Sequence, residues 1–149
     1  MNYFAYGSNM SSEELRAHCP SAAFISIARL ADYRLDFTRY AERRKGGVAD
    51  VVPSPGDDVW GVLYDVPDGD LLALDRKEGV ARGAYRREDV DLELASGERV
   101  QAMVYVVIDK EPFQAPGEHY FGLLLIGARE WNLPAGYIAK LAQIKPRSS

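Results

Sequence analysis

Over the first hundred residues the apolar positions recur with the short period of strands. Residues 3–6, Tyr-Phe-Ala-Tyr, make a short first strand that runs into Gly7-Ser8-Asn9. Residues 23–36 partly alternate, with Arg29, Tyr33 and Leu35 on one parity and Leu30, Asp32 and Arg34 on the other, which fits one long strand or two with a bend. Residues 40–46 are polar and basic and read as a loop. Residues 47–52 form a strand that stops at Pro53-Ser54-Pro55-Gly56-Asp57, a strong turn signal. The near-continuous apolarity of residues 59–66 implies a strand covered on both faces, with Gly61 marking a bulge or a close backbone approach. Residues 84–94 and 98–108 pair as a hairpin around Ser96-Gly97, the first strand alternating through Val90, Leu92 and Leu94.

Helical spacing appears in four places. Ser11 with Glu14 three residues on has the pattern of a capping box. Asp68-Gly69-Asp70 opens a second helix with Leu71, Leu72 and Leu74 on its buried side, ending at Glu78 with Gly79 as the C′ residue. Pro116 stands at the start of a third, which puts Tyr120, Leu123, Leu124 and Ala128 on one face until Asn132-Leu133-Pro134 breaks it. The fourth gathers Tyr137, Ile138, Leu141 and Ile144 before Pro146. Strands followed by helices in 149 residues, without repeats or a linker, predict one α+β domain over the whole chain. Its mixed β-sheet is curled into a small barrel with helices at the periphery.

Composition narrows the function classes. Lys and Arg number 18 against 22 Asp and Glu, a net charge of −4, so no broad basic excess points to nucleic acid. The only cysteine, Cys19, has no partner for an intrachain disulfide and reads as a buried inert thiol. No signal peptide opens the chain and no window has 18 consecutive apolar residues, so a cytoplasmic protein without a membrane span is expected. Two histidines, His18 and His119, and one cysteine exclude a Cys/His metal cluster. Walker A and G-x-G-x-x-G sequences are absent, so no cofactor is expected. Gly7-Ser8-Asn9-Met10 also lacks the second glycine of a nucleophile elbow.

Two local features carry candidate chemistry. A strand that turns at Gly7 into a helix N-terminus directs backbone N–H groups at one spot, where a carboxylate or an oxyanion is the natural guest. An ordinary capped turn is the other reading. Glu78 stands where a helix ends. An exposed helix-end glutamate explains it, and so does a desolvated carboxylate with the raised pKa a general base needs. The basic run Arg39, Arg43, Arg44 and Lys45 reads first as a solvated loop, with attraction of an anionic substrate as the other reading.

The chain resembles the small, single-domain γ-glutamylcyclotransferases. The matching stretches begin with Tyr3-Phe4-Ala5-Tyr6-Gly7-Ser8-Asn9-Met10 and include Ser54-Pro55-Gly56-Asp57 with Val59-Trp60-Gly61-Val62. Glu78-Gly79-Val80, Gly83-Ala84-Tyr85 and Gly127-Ala128-Arg129-Glu130 follow in order, and the likeness spans nearly the whole chain. The resemblance implies a cofactor-independent enzyme acting on a small γ-glutamyl compound, an amino acid or amine derivative. The substrate's α-amine attacks its own γ-carbonyl and 5-oxoproline is released. By matching, Glu78 is the acid/base. Tyr6, Gly7, Ser8, Asn9 and Met10 hold the glutamyl end, and Tyr85 and Tyr120 line the pocket. Tyr120 also reads as a core aromatic of its helix. The Asn9-Met10 pair fits the γ-glutamyl-amino-acid type better than the glutathione-specific one. A tailoring enzyme that removes a γ-glutamyl group in antibiotic biosynthesis and a non-catalytic binding module for a γ-glutamyl or other carboxylate ligand are the alternatives. Relatives imply a homodimer, with Trp131 as a surface candidate.

Overall fold

The computed structural model describes residues 1–148. Five strands close a barrel in the order β1-β3-β2-β4-β5. They are β1 (Asn2–Ala5), β2 (Ala23–Ala41), β3 (Gly46–Asp65), β4 (Tyr85–Leu94) and β5 (Arg99–Val107). All pairings are antiparallel except β1 with β5, which close the barrel in parallel at Tyr3 and Met103. Four helices lie outside the sheet: α1 (Ser12–Arg16), α2 (Asp68–Lys77), α3 (Glu118–Glu130) and α4 (Ala135–Ala142). None of the described helices is long and apolar enough to cross a membrane.

The expected α+β barrel is therefore present, but two strands are far longer than the pattern implied. β2 and β3 form one hairpin whose ladder continues from Ala23 opposite Asp65 to Ala41 opposite Gly46. The predicted loop at residues 40–46 shrinks to a single 3-10 turn, Glu42–Arg44, followed by Lys45 at φ 57°. The turn at residues 53–57 is real but ends no strand. Tyr33 pairs with Pro53 and Ala31 with Asp58, so residues 54–57 bulge out opposite Asp32 alone. Gly56 N donates to Asp32 Oδ1 at 3.0 Å and seals the bulge. Gly61 is a close approach, as its mid-strand position suggests: a Cβ there would stand 2.4 Å from the Ala5 carbonyl oxygen and 2.8 Å from the Phe4 ring.

Beyond the barrel proper the β2–β3 hairpin has lost its other neighbours, yet Phe37, Val48, Ala49 and Val51 on it are buried. The segment after β5 covers them. Glu111 N donates to the Thr38 carbonyl at 2.6 Å, Gln114 N to Phe37 at 2.8 Å and Gly47 N to Ala115 at 3.0 Å. A fully buried carboxylate, Asp50, pins the same place. It accepts from Thr38 Oγ1 at 2.8 Å, from Val107 N at 3.0 Å and from Lys110 Nζ at 2.7 Å. The hairpin arm is thus held across one end of the barrel by these bonds, where it forms a wall of a cavity.

The helices depart from the sequence pattern in small ways, and Leu72, expected on the buried side of α2, is 68% exposed because only Leu71 and Leu74 face the core. Pro67 rather than Asp68 is the N-cap of α2, without a side-chain cap, and Gly117 precedes α3 where Pro116 was expected to start it. α1 has only five residues, and Ser11 caps it by accepting from Glu14 N at 3.4 Å.

Candidate active site

Strand β1 is buried and ends at Ala5 because Gly7-Ser8-Asn9-Met10 winds into a 3-10 turn, with Met10 N donating to Gly7 O and Ser11 N to Ser8 O, both at 3.1 Å. These two bonds use the amides of Met10 and Ser11. Among the described residues no hydrogen bond uses the N–H of Gly7, Ser8 or Asn9, and all three residues line the cavity. The helix N-terminus itself is not the anion site that the strand–turn–helix reading suggested. Ser12 N and Oγ both donate to the Glu130 carboxylate, the amide at 3.0 Å, so α1 already has its anion. Met10 departs from the expected binding set as well. It is fully buried in the core, and its carbonyl accepts from Tyr64 Oη at 2.9 Å and Trp131 Nε1 at 3.0 Å.

The cavity has a volume of about 400 Å³ and brings together Tyr6, Gly7, Ser8, Asn9, Glu78, Tyr85 and Tyr120. One residue of β3 organises the three tyrosines. Ala49 N donates to Tyr120 Oη at 2.9 Å, and the Ala49 carbonyl accepts from Tyr85 Oη at 2.6 Å. Tyr6 Oη donates to the Tyr105 carbonyl at 2.6 Å and lies 3.3 Å from Ala49 O. The roles of the phenols follow from where their protons go. Tyr6 and Tyr85 have spent theirs on the backbone and present lone pairs. Tyr120 accepts from the backbone and keeps its proton to donate. Burial pushes all three phenols above their ordinary pKa, so each stays protonated at neutral pH.

Glu78 is the C-cap residue of α2, and Gly79 at φ 67° makes the left-handed turn that ends the helix. Its carboxylate accepts from Asn9 Nδ2 at 3.4 Å, which joins two residues 69 positions apart. Burial raises the Glu78 pKa. The cations Lys77, Arg44 and Arg43 pull the other way without reversing it. Asn9 is held from both ends of its amide: Nδ2 also donates to Tyr3 Oη at 2.9 Å, and Lys77 Nζ donates to Oδ1. The Lys77 side chain is 3% exposed and donates to Glu14 Oε1 at 3.3 Å as well. Glu14 accepts a second cation, Arg44, at 2.8 Å. The Arg44 guanidinium in turn lies 5.2 Å over the Tyr120 ring.

The sequence reading missed the wall residues Tyr3, Lys77, Arg82 and Tyr105, and it placed the solvated loop ahead of an anion-attracting role for the basic run. Arg39, Arg43 and Arg44 line the cavity, the first and last half-buried and Arg43 exposed at its rim, while Lys45 is exposed and outside it. Their signal was a basic cluster in a chain of net negative charge. Cys19 lies outside the cavity, and burial pushes its thiol up to about 11. Among the described residues no group of three or more His, Cys, Asp or Glu side chains is placed to hold a metal.

The chain matches the AIG2-like family over residues 58–141. It is 36% identical to the γ-glutamylcyclotransferase of Mus musculus and 37% to that of Homo sapiens, in each case over 97% of this chain and 78% of the relative. A solved structure of a γ-glutamyl cyclotransferase superposes with a TM-score of 0.95 at 36% identity, covering 99% of this chain and 89% of the other. The chain belongs to the AIG2-like family and is a relative of the γ-glutamylcyclotransferases. Trp131 is half-buried beside the exposed Phe24. It stacks on Phe24 with centroids 4.0 Å apart, and its indole N–H is spent on Met10 and Tyr64.

Proposed function

We propose that the protein releases 5-oxoproline from a small γ-glutamyl compound, and that Glu78 carries the protons. The observation that supports this most is the half-buried Glu78 carboxylate on the wall of the same cavity as three unpartnered backbone amides, its pKa raised by desolvation. The reaction is intramolecular, so the main task of the site is to fold the glutamyl chain until its α-nitrogen meets its γ-carbonyl. The amides of Gly7, Ser8 and Asn9 and the Tyr120 hydroxyl are donors, suited to the α-carboxylate or to the oxyanion of the tetrahedral intermediate. The lone pairs of Tyr6 and Tyr85 suit the ammonium. Ionised Glu78 takes a proton from that ammonium, and the freed amine forms the ring C–N bond. Glu78 then returns the proton to the leaving nitrogen as the γ-amide C–N bond breaks, and the second proton that the ring nitrogen sheds on becoming the lactam N–H leaves with the released amine as its ammonium. No other reactant is required.

A panel of γ-glutamyl dipeptides, glutathione and γ-glutamyl amines, assayed for 5-oxoproline with and without a chelator, tests the reading. Product from at least one member, undiminished by the chelator, is expected. Binding without product from any member would replace it with the binding-module reading. We also propose the homodimer and the cytoplasmic setting that the resemblance implies. Light scattering over a concentration series checks the first.

A further inference from the structure

The cavity wall is strongly basic in a protein that is acidic overall. Five cations line it, Arg39, Arg43, Arg44, Lys77 and Arg82, against two acids, Glu42 and Glu78, while the whole chain has a net charge of −4. Arg44 and Lys77 share Glu14 as their ion-pair partner. Among the described residues, Arg39, Arg43 and Arg82 take part in no ion pair. They stand on two separate elements, the tip of the β2–β3 hairpin and the 3-10 turn Val80–Arg82 after α2. Unpaired guanidinium groups converging on a concave wall focus a positive potential on whatever enters.

The glutamyl half of the substrate does not need them. Its carboxylate and oxyanion have the amides of Gly7, Ser8 and Asn9 and the Tyr120 hydroxyl, and its ammonium has Glu78, Tyr6 and Tyr85. The three guanidinium groups are left for the other half. The α-carboxylate of a leaving amino acid engages one, in bidentate fashion. Two remain. We propose, resting on the cyclotransferase reading above, that the site prefers a leaving amino acid with an acidic side chain, whose second carboxylate meets the remaining guanidinium groups.

Three substrates of nearly equal size separate the possibilities: γ-glutamyl-glutamate, its neutral isostere γ-glutamyl-glutamine, and γ-glutamyl-lysine. Both 5-oxoproline and the released amino acid are measured. At low salt kcat/KM should fall in that order, with about a fivefold advantage of glutamate over glutamine, the size expected of partly solvated charge pairs. The advantage should shrink as salt is raised. In the double variant Arg43→Gln/Arg82→Gln the glutamate-to-glutamine ratio should drop to near one, and Arg43→Glu should move preference toward the lysine compound. Equal kcat/KM for all three in the wild type, with 5-oxoproline formed, would overturn the specificity and leave the cyclotransferase reading standing. No 5-oxoproline from any of the three would overturn the specificity, and none from glutathione or the γ-glutamyl amines either would overturn both.

Discussion

Asp50 and Glu78 are two carboxylates near the same end of the barrel, and they are treated in opposite ways. Asp50 is fully buried and has three donors within 3.0 Å, one of them a lysine. Glu78 faces the cavity with a single amide donor at 3.4 Å. A carboxylate whose lone pairs are filled by fixed donors serves the structure. One that is desolvated but under-filled has a raised pKa and can exchange a proton. Asp50 also adjoins Ala49, the residue whose backbone sets Tyr85 and Tyr120. The filled carboxylate holds the frame against which the unfilled one works.

Substitutions should separate the two. Glu78→Gln keeps shape and hydrogen bonding but cannot cycle a proton, so turnover should fall by about 10²–10⁴-fold. Its stability follows from linkage. The raised pKa favours the protonated folded form, so the group's contribution to stability is lost as pH rises from its unfolded value through its folded value. Above that window the neutral glutamine should leave the melting temperature unchanged or higher. Asp50→Ala should do the reverse and cost about 3 kcal/mol in urea unfolding, because Val107 N–H, Thr38 and Lys110 lose their shared acceptor. A variant as stable as wild type would erase the distinction. Tyr120→Phe removes a cavity donor and strands Ala49 N–H, and turnover should drop roughly tenfold. Ser8→Ala should cost least, under about threefold, because the turn is expected to act through its backbone. A larger loss would assign the work to the Ser8 hydroxyl.

How much of this was legible in the sequence depends on the range of the interaction. Local signals held: the Gly79 C′ turn, the β4–β5 hairpin around Ser96-Gly97 and the close approach at Gly61 all follow from conformations a few residues determine. The length of β2 and β3 was hidden because residues 42–45 are polar and residues 53–57 carry turn chemistry. Only their pairing partners reveal that one ends in a tight turn and the other bulges without breaking the ladder. In the site, Glu78 and the residues 6–9 were read from motif resemblance. Met10 was carried along by the motif, although the turn aims it into the core. Lys77, Glu14 and Arg44 form a bridge across 63 and 30 positions, and nothing in their spacing announces it.

The central claim is that Glu78 works because burial has raised its pKa. The pH dependence of kcat/KM for wild type and Glu78→Gln, followed by 5-oxoproline release, tests it directly. A base must be ionised to act, so wild-type activity should rise with pH along a limb whose midpoint lies above the ordinary glutamate value of about 4.3. The residual activity of Glu78→Gln should lack that limb. A wild-type midpoint at the ordinary value, or the same limb persisting in Glu78→Gln, would contradict the account and assign the proton transfer to another group.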